Sequence, residues 1–205
     1  MFGRVNKRRV GVLISGRGSN LRALLQAAEE TDYPAAIAVV ISNQPEAAGL
    51  DLARRAGIPA LAIDHRLYRG DREAHERAID AALRAHGADL VCLAGYMRLM
   101  TPFLVGAWQG RMLNIHPSLL PAFPGLHTHA RALAAGVPWH GCTVHQVTET
   151  MDEGPILGQA AVPVLPGESE DSLAARVLAQ EHLLYPRVLR SFALSLPLPS
   201  SVAGP

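Results

Sequence analysis

Short apolar runs alternate with longer amphipathic ones through the first half of the chain. Residues 10–14 form a continuous apolar run of strand length, and residues 21–28 place Leu21, Leu24, Leu25 and Ala28 at helical spacing. Residues 37–41 predict a second strand. Residues 47–56 predict a second helix, stopped by Gly57 just past its end. A short third strand follows at 60–63. A third helix covers 71–86, with Ile79, Ala82 and Leu83 facing inward and Gly87 at its close, and a fourth strand covers 89–94. This βαβαβαβ order predicts an α/β fold: a single-domain, Rossmann-like, mostly parallel sheet with helices on both faces.

The second half is less regular. Residues 111–116 predict a strand ended by Pro117, followed by a proline-rich loop over 117–124 and a helix over 128–135 closed by Gly136. Residues 141–147 alternate, with Cys142, Val144 and the aliphatic part of Gln146 on one face and Thr143, His145 and Val147 on the other. Another strand covers 156–164. A long helix covers 170–192, with an interruption expected near Pro186 because proline cannot donate a helical hydrogen bond. From Leu194 the chain turns to Pro, Ser and Gly, which predicts a disordered tail over 194–205. No internal repeat and no linker is visible, so residues 9–193 read as one domain.

Composition narrows the function. The chain has 205 residues, 49% of them hydrophobic, enough for a substantial core. Nineteen Lys and Arg stand against eighteen Asp and Glu, so no strong field points to nucleic acid or an anionic membrane. Basic residues cluster at the start (Arg4, Lys7, Arg8, Arg9), and residues 1–8 read as a solvated basic extension. Only Cys92 and Cys142 occur, both inside apolar runs, which suggests buried free thiols in a reducing compartment. No segment approaches the ~20 apolar residues of a membrane span, and no signal core follows the first charges. The expectation is a soluble cytoplasmic protein.

Three segments carry candidate chemistry. Ser15-Gly16-Arg17-Gly18-Ser19-Asn20 joins the first strand to the first helix. It reads either as a phosphate cradle at a helix N-terminus or as a tight turn capped by Ser19. It is neither a Walker A loop nor a full dinucleotide fingerprint, since Leu21 stands where the third glycine belongs. Asn114 and His116 lie two apart at a strand end, so they project to the same side. An amide donor beside an imidazole suits acyl-type transfer, and a polar pair hydrogen-bonded only for structure is the other reading. Met151-Asp152-Glu153-Gly154-Pro155 is a loop whose carboxylate could orient a histidine, or an ordinary acidic turn. The nine histidines include His127-x-His129, but no Cys pair and no His-Glu-x-x-His accompany it, so no metal is expected.

Taken together, these segments resemble a known family. Ile14 to Leu21, Leu93-Ala94-Gly95-Tyr96-Met97-Arg98, Leu113 to Pro121, Pro124-Gly125-Leu126-His127-Thr128-His129, Met151 to Pro155 and Gln180-Glu181-His182 are similar to the phosphoribosylglycinamide formyltransferases, within the folate-dependent formyltransferase family. The match runs from about Arg9 to Phe192. The order and spacing of separate segments make it more specific than any one motif. The resemblance implies that Gly18, Ser19 and Asn20 hold the nucleotide phosphate and that Glu181 helps hold the ribonucleotide. It implies a catalytic trio of Asn114, His116 and Asp152, and folate contacts at Arg72, Met97, Arg98, Leu99, Met100 and Asn114. Arg17 departs from the smaller polar residue expected between the two glycines, and pointing into water is the favoured reading.

The implied activity is direct transfer of the formyl group of 10-formyltetrahydrofolate to the amine of glycinamide ribonucleotide, in de novo purine biosynthesis. The protein would be a monomer or homodimer acting on small molecules, with no metal, nucleic acid or membrane. The rivals are a formyltetrahydrofolate deformylase, which carries a regulatory domain ahead of the core, and methionyl-tRNA formyltransferase, which adds a C-terminal domain. A core starting by residue 10 and reaching 192 leaves room for neither. A non-catalytic nucleotide-binding module would need the glycine loop but not Asn114, His116 and Asp152 together.

Overall fold

The structure, a computed structural model, describes residues 7–197. Its strands are β1 (Arg8–Ile14), β2 (Ala35–Ser42), β3 (Ala60–Ala62), β4 (Leu90–Leu93), β5 (Met112–His116), β6 (Trp139–Gln146) and β7 (Ile156–Pro163). Its helices are α1 (Ser19–Glu29), α2 (Ala48–Arg55), α3 (Arg72–Ala85), α4 (Pro102–Ala107), α5 (Thr128–Ala134) and α6 (Glu170–Ser195), with a 3-10 turn at His65–Tyr68. The seven strands form one sheet in the order β3-β2-β1-β4-β5-β6-β7. The strands from β1 to β5 run parallel, β6 pairs antiparallel with β5, and β7 pairs antiparallel with β6. The chain winds outward from β1 to β3 and then restarts on the other side with β4. The crevice between the carboxyl ends of β1 and β4 is therefore the switch point where ligands bind in open α/β sheets.

Strand alternation sends side chains to two cores. On one face, Val10, Val12 and Ile14 of β1 pack with Leu21 and Leu24 of α1, Leu50 of α2, and Leu184, Tyr185 and Leu189 of α6. On the other, Leu13, Val39 and Ile41 pack with Ile79 and Leu83 of α3, Leu104 of α4 and Trp108. Both faces of the central strands are thus covered, which is why they read as unbroken apolar runs rather than alternating ones.

Four features differ from the sequence reading. α6 is continuous through Pro186. The missing N–H costs about 3 kcal/mol in a helix interior. Leu184, Tyr185, Val188, Leu189 and Phe192 on either side of it are buried, each worth about 1.5–3 kcal/mol. Packing therefore carries the helix past the proline. α4 is an added element that periodicity does not reveal, since six residues are under two turns; Pro102 opens it at a position where no N–H is needed. Ser19 is not a cap: Gly18 is, in the left-handed region at φ 75°, with no side-chain cap bond.

The fourth difference concerns the basic start. Arg8 belongs to β1 and is buried, not solvated. Its guanidinium donates to the carbonyls of Ala193, Leu196 and Pro197 at the end of α6. Lys7 donates to Ala28 and Glu30 at the end of α1, and Arg9 to His86 and Gly87 at the end of α3. Helix C-termini gather at the amino end of β1, and each cation meets orphan carbonyls and the negative end of a helix dipole. Arg4 and residues 198–205 of the expected tail lie outside the described residues, and helix α6 carries the chain through Ser195.

Candidate active site

The glycine loop leaves β1 beside the C-terminal end of β4, where Ser15 N–H donates to the Gly95 carbonyl at 3.1 Å. The loop packs against the first turn of α2, with Gly49 N–H donating to the Gly16 carbonyl. A Cβ at position 18 would fall 2.8 Å from the Gly49 Cα, so both the left-handed φ and the close approach demand glycine there. No side chain caps α1, and no acidic residue occupies its first turn. An uncapped positive end of this kind suits an anion. Asn20 is buried and commits its side chain elsewhere: Nδ2 donates to Glu181 Oε2 at 2.7 Å, while Oδ1 is buried without a partner. Burial raises the Glu181 carboxyl above its ordinary value, and the Asn20 bond opposes this. Arg17 is exposed.

The second cluster forms at the end of β5. Asn114 and His116 pair across to His145 and Thr143 of β6. His116 Nε2–H donates to the Phe123 carbonyl at 3.1 Å, and Nδ1 lies 3.5 Å from Asp152 Oδ2. Asp152 sits in the left-handed region at φ 58°, and its Oδ2 also accepts from Gly125 N–H at 2.8 Å. Its Oδ1 lies 3.7 Å from His145 Nε2, and His145 Nε2 lies 3.1 Å from Asn114 Nδ2. Asn114, His116 and Asp152 thus come together, and His145 joins them. The sequence places His145 opposite the core face of its strand but contains no register to pair it with Asn114. Thr143 anchors the neighbouring loop: Oγ1 donates to the Ser118 carbonyl and accepts from Leu120 N–H and Gln159.

The segment after β4 forms a third wall. Met97 N–H donates to Ser15 Oγ at 2.8 Å, which in turn donates to Asn43 Oδ1 at 2.5 Å. Buried Glu76 of α3 accepts from the backbone N–H and the hydroxyl of Thr101. Ser15 and Glu76 therefore pin the two ends of the stretch holding Met97, Arg98, Leu99 and Met100. Arg72 stands one turn before Glu76 on the same face of α3, exposed. Met97 is 72% exposed and Leu99 60%, and Leu126 and Met151, neighbours of the Gly125–Asp152 contact, are 68% and 53%. Large apolar side chains left open on these two segments suit an apolar ligand.

Cys92 and Cys142 are free and buried, and burial pushes both thiols up to about 12. His140 is fully buried against His129, and burial pulls it down to about 4. Among the described residues, no group of three or more His, Cys, Asp or Glu is placed to hold a metal ion. Among them, no helix is long and apolar enough to cross a membrane.

A mostly parallel sheet with a glycine loop at its switch point and an Asn–His–Asp cluster beside it defines a class. Residues 8–189 match the formyl transferase family, and the chain belongs to that family. It is 46% identical over 182 residues to phosphoribosylglycinamide formyltransferase of Escherichia coli, a match covering 89% of this chain and 85% of that protein. It is 49% identical over 187 residues to the trifunctional purine biosynthetic protein adenosine-3 of Bos taurus, covering 91% of this chain. The chain spans only 18% of that longer protein. Among solved structures, glycinamide ribonucleotide transformylase 1 from Symbiobacterium toebii superposes with a TM-score of 0.91 at 51% identity, covering 95% of this chain and 91% of that one. Phosphoribosylglycinamide formyltransferase from Brucella melitensis gives 0.88 at 53% identity, covering 95% of this chain and 100% of that one.

Proposed function

We propose that the protein transfers the formyl group of 10-formyltetrahydrofolate to the amine of glycinamide ribonucleotide, a step of purine biosynthesis. The observation that carries this reading is the meeting of Asp152 with His116 beside Asn114. A nucleotide-binding module has no use for that cluster. The named activity of the similar proteins supports the substrates, and the deformylase alternative is not favoured. We place the enzyme in the cytoplasm, as a monomer or homodimer acting on small molecules; its buried free thiols suit a reducing compartment.

In the reaction a bond forms between the ribonucleotide amine and the formyl carbon, the bond to the folate N10 breaks, and one proton passes from the amine to N10. Asn114 Nδ2–H donates to the formyl oxygen as charge gathers there, and the His116 cation stabilises the same charge. His116 gives a proton toward N10 and takes the amine's proton in return, directly or through water. For this, Nε2–H exchanges the Phe123 carbonyl for substrate. Asp152 holds the ring and balances its charge from Nδ1. No covalent enzyme intermediate is needed. The N-terminus of α1, with Gly18, Ser19 and the Asn20 backbone, receives the phosphate, and Glu181 faces the ribonucleotide. Met97, Arg98, Leu99 and Met100, together with Arg72 and Asn114, hold the folate; the exposed apolar surface of Met97 and Leu99 fits a flat ring system. Purified protein mixed with both substrates should yield formylated ribonucleotide, and its absence under saturating conditions would overturn the assignment.

A further inference from the structure

His145 faces Asn114 directly across the β5–β6 pair, and it is buried, 2% exposed. Its two ring nitrogens do different things. Nδ1 lies 2.9 Å from the Gln146 carbonyl. A carbonyl can only accept, so Nδ1 carries the proton. In the neutral ring Nε2 is then a lone pair, and it lies 3.1 Å from Asn114 Nδ2. The amide must turn its N–H₂ edge toward that lone pair, because its oxygen there would set two acceptors against each other. One amide hydrogen is thus used on His145, and the other is held in a single direction.

The surroundings favour the neutral ring. Burial holds His145 below the ordinary histidine value, and His116 pushes the same way. The Gln146 carbonyl and the Asp152 carboxylate, 3.7 Å from Nε2, oppose them without reversing the direction. A protonated ring would lose its acceptor and turn an N–H toward Asn114 and Asp152. The amide would then be driven to present oxygen, and Asp152 would be drawn away from His116.

We infer that His145 is a positioning residue for the transfer reaction: its neutral ring fixes the orientation of the Asn114 amide, so that a donor hydrogen stands ready for the charge on the formyl oxygen. This rests on Asn114 being the oxyanion donor. The gain is preorganisation, since a free amide would divide its time between two flips and reorganise during the reaction.

Two substitutions separate the ring nitrogens. His145→Asn keeps a donor for the Gln146 carbonyl but withdraws the acceptor at Nε2. His145→Gln places a side-chain oxygen where Nε2 was. His145→Asn should lower kcat about 10- to 100-fold, less than loss of an oxyanion donor outright, with KM for both substrates nearly unchanged. His145→Gln should restore most of the rate. On an Asn114→Ala background His145→Asn should cost nothing more, because the amide it orients is gone. Equal rates in both position-145 variants would overturn the inference, as would the same loss on both backgrounds. If Asn114→Ala itself keeps a near-normal rate, the oxyanion role of Asn114 falls and this inference falls with it. If Asn114→Ala is inactive and His145→Asn is normal, only the positioning role falls.

Discussion

Asp152 Oδ2 lies 3.5 Å from His116 Nδ1, although α5 and β6 separate the two in sequence. Two local features bring the carboxylate in. Gly154 lets its loop pass against the end of β6, where a Cβ would fall 1.8 Å from the Gln146 carbonyl oxygen. Asp152 then adopts a left-handed turn that Asp tolerates better than most residues, with Gly125 N–H gripping its Oδ2. Asp152→Asn keeps the shape and removes the charge. Single-turnover rates should fall by about 10²- to 10⁴-fold, the usual range for acid–base groups, while the thermal midpoint barely moves. A near-normal rate would leave His116 without a catalytic carboxylate.

The glycine loop gives a separable result. Gly18→Val combines a disfavoured φ with a Cβ against Gly49, so the loop must move. Ribonucleotide binding should weaken by at least about tenfold, roughly 1.4 kcal/mol, with folate binding much less affected. Calorimetry with each ligand checks this, and unchanged ribonucleotide affinity would put the phosphate elsewhere.

Glu181 predicts a pH effect. Its carboxyl is raised in the folded protein, so it binds its proton more tightly folded than unfolded. That favours folding at low pH. The contribution fades as pH climbs from the ordinary value of 4.5 through the raised one. Glu181→Gln removes the titration and keeps an oxygen for the Asn20 amide. Its melting temperature relative to the parent should therefore rise as pH climbs above the ordinary value of 4.5, while ribonucleotide binding weakens. A pH-independent difference would show that burial of this carboxylate carries no cost.

At the opposite end of the sheet, Arg8→Ala should cost about 1.5–3 kcal/mol, the range for hydrogen bonds to charged groups, because it strips partners from the end of α6. Lys7→Ala, at the more open end of α1, should cost under about 0.5 kcal/mol. Urea titrations of both variants compare them directly, and equal costs would deny Arg8 its buried role.

The parallel half of the fold is legible because β1, β2 and β4 are buried on both faces and each helix carries one apolar stripe, so these strands and α1 to α3 stand out by periodicity alone. The Asn114–His116 pair is legible for the same reason, since strand alternation puts both on one side. His145 is not, because register across β5 and β6 is a property of pairing and not of either strand. Arg8 misleads because a charged residue is rarely buried, and the helix ends that satisfy it lie far along the chain. Pro186 misleads because a local rule is outweighed by the apolar contacts of α6.

Transfer rather than hydrolysis is the central claim, and acceptor dependence tests it most directly. With 10-formyltetrahydrofolate alone, formate release should be slow. Adding glycinamide ribonucleotide should start rapid consumption of the folate, with one formylated ribonucleotide formed for each tetrahydrofolate released. Formate appearing equally fast with and without the ribonucleotide would contradict it and make water the acceptor.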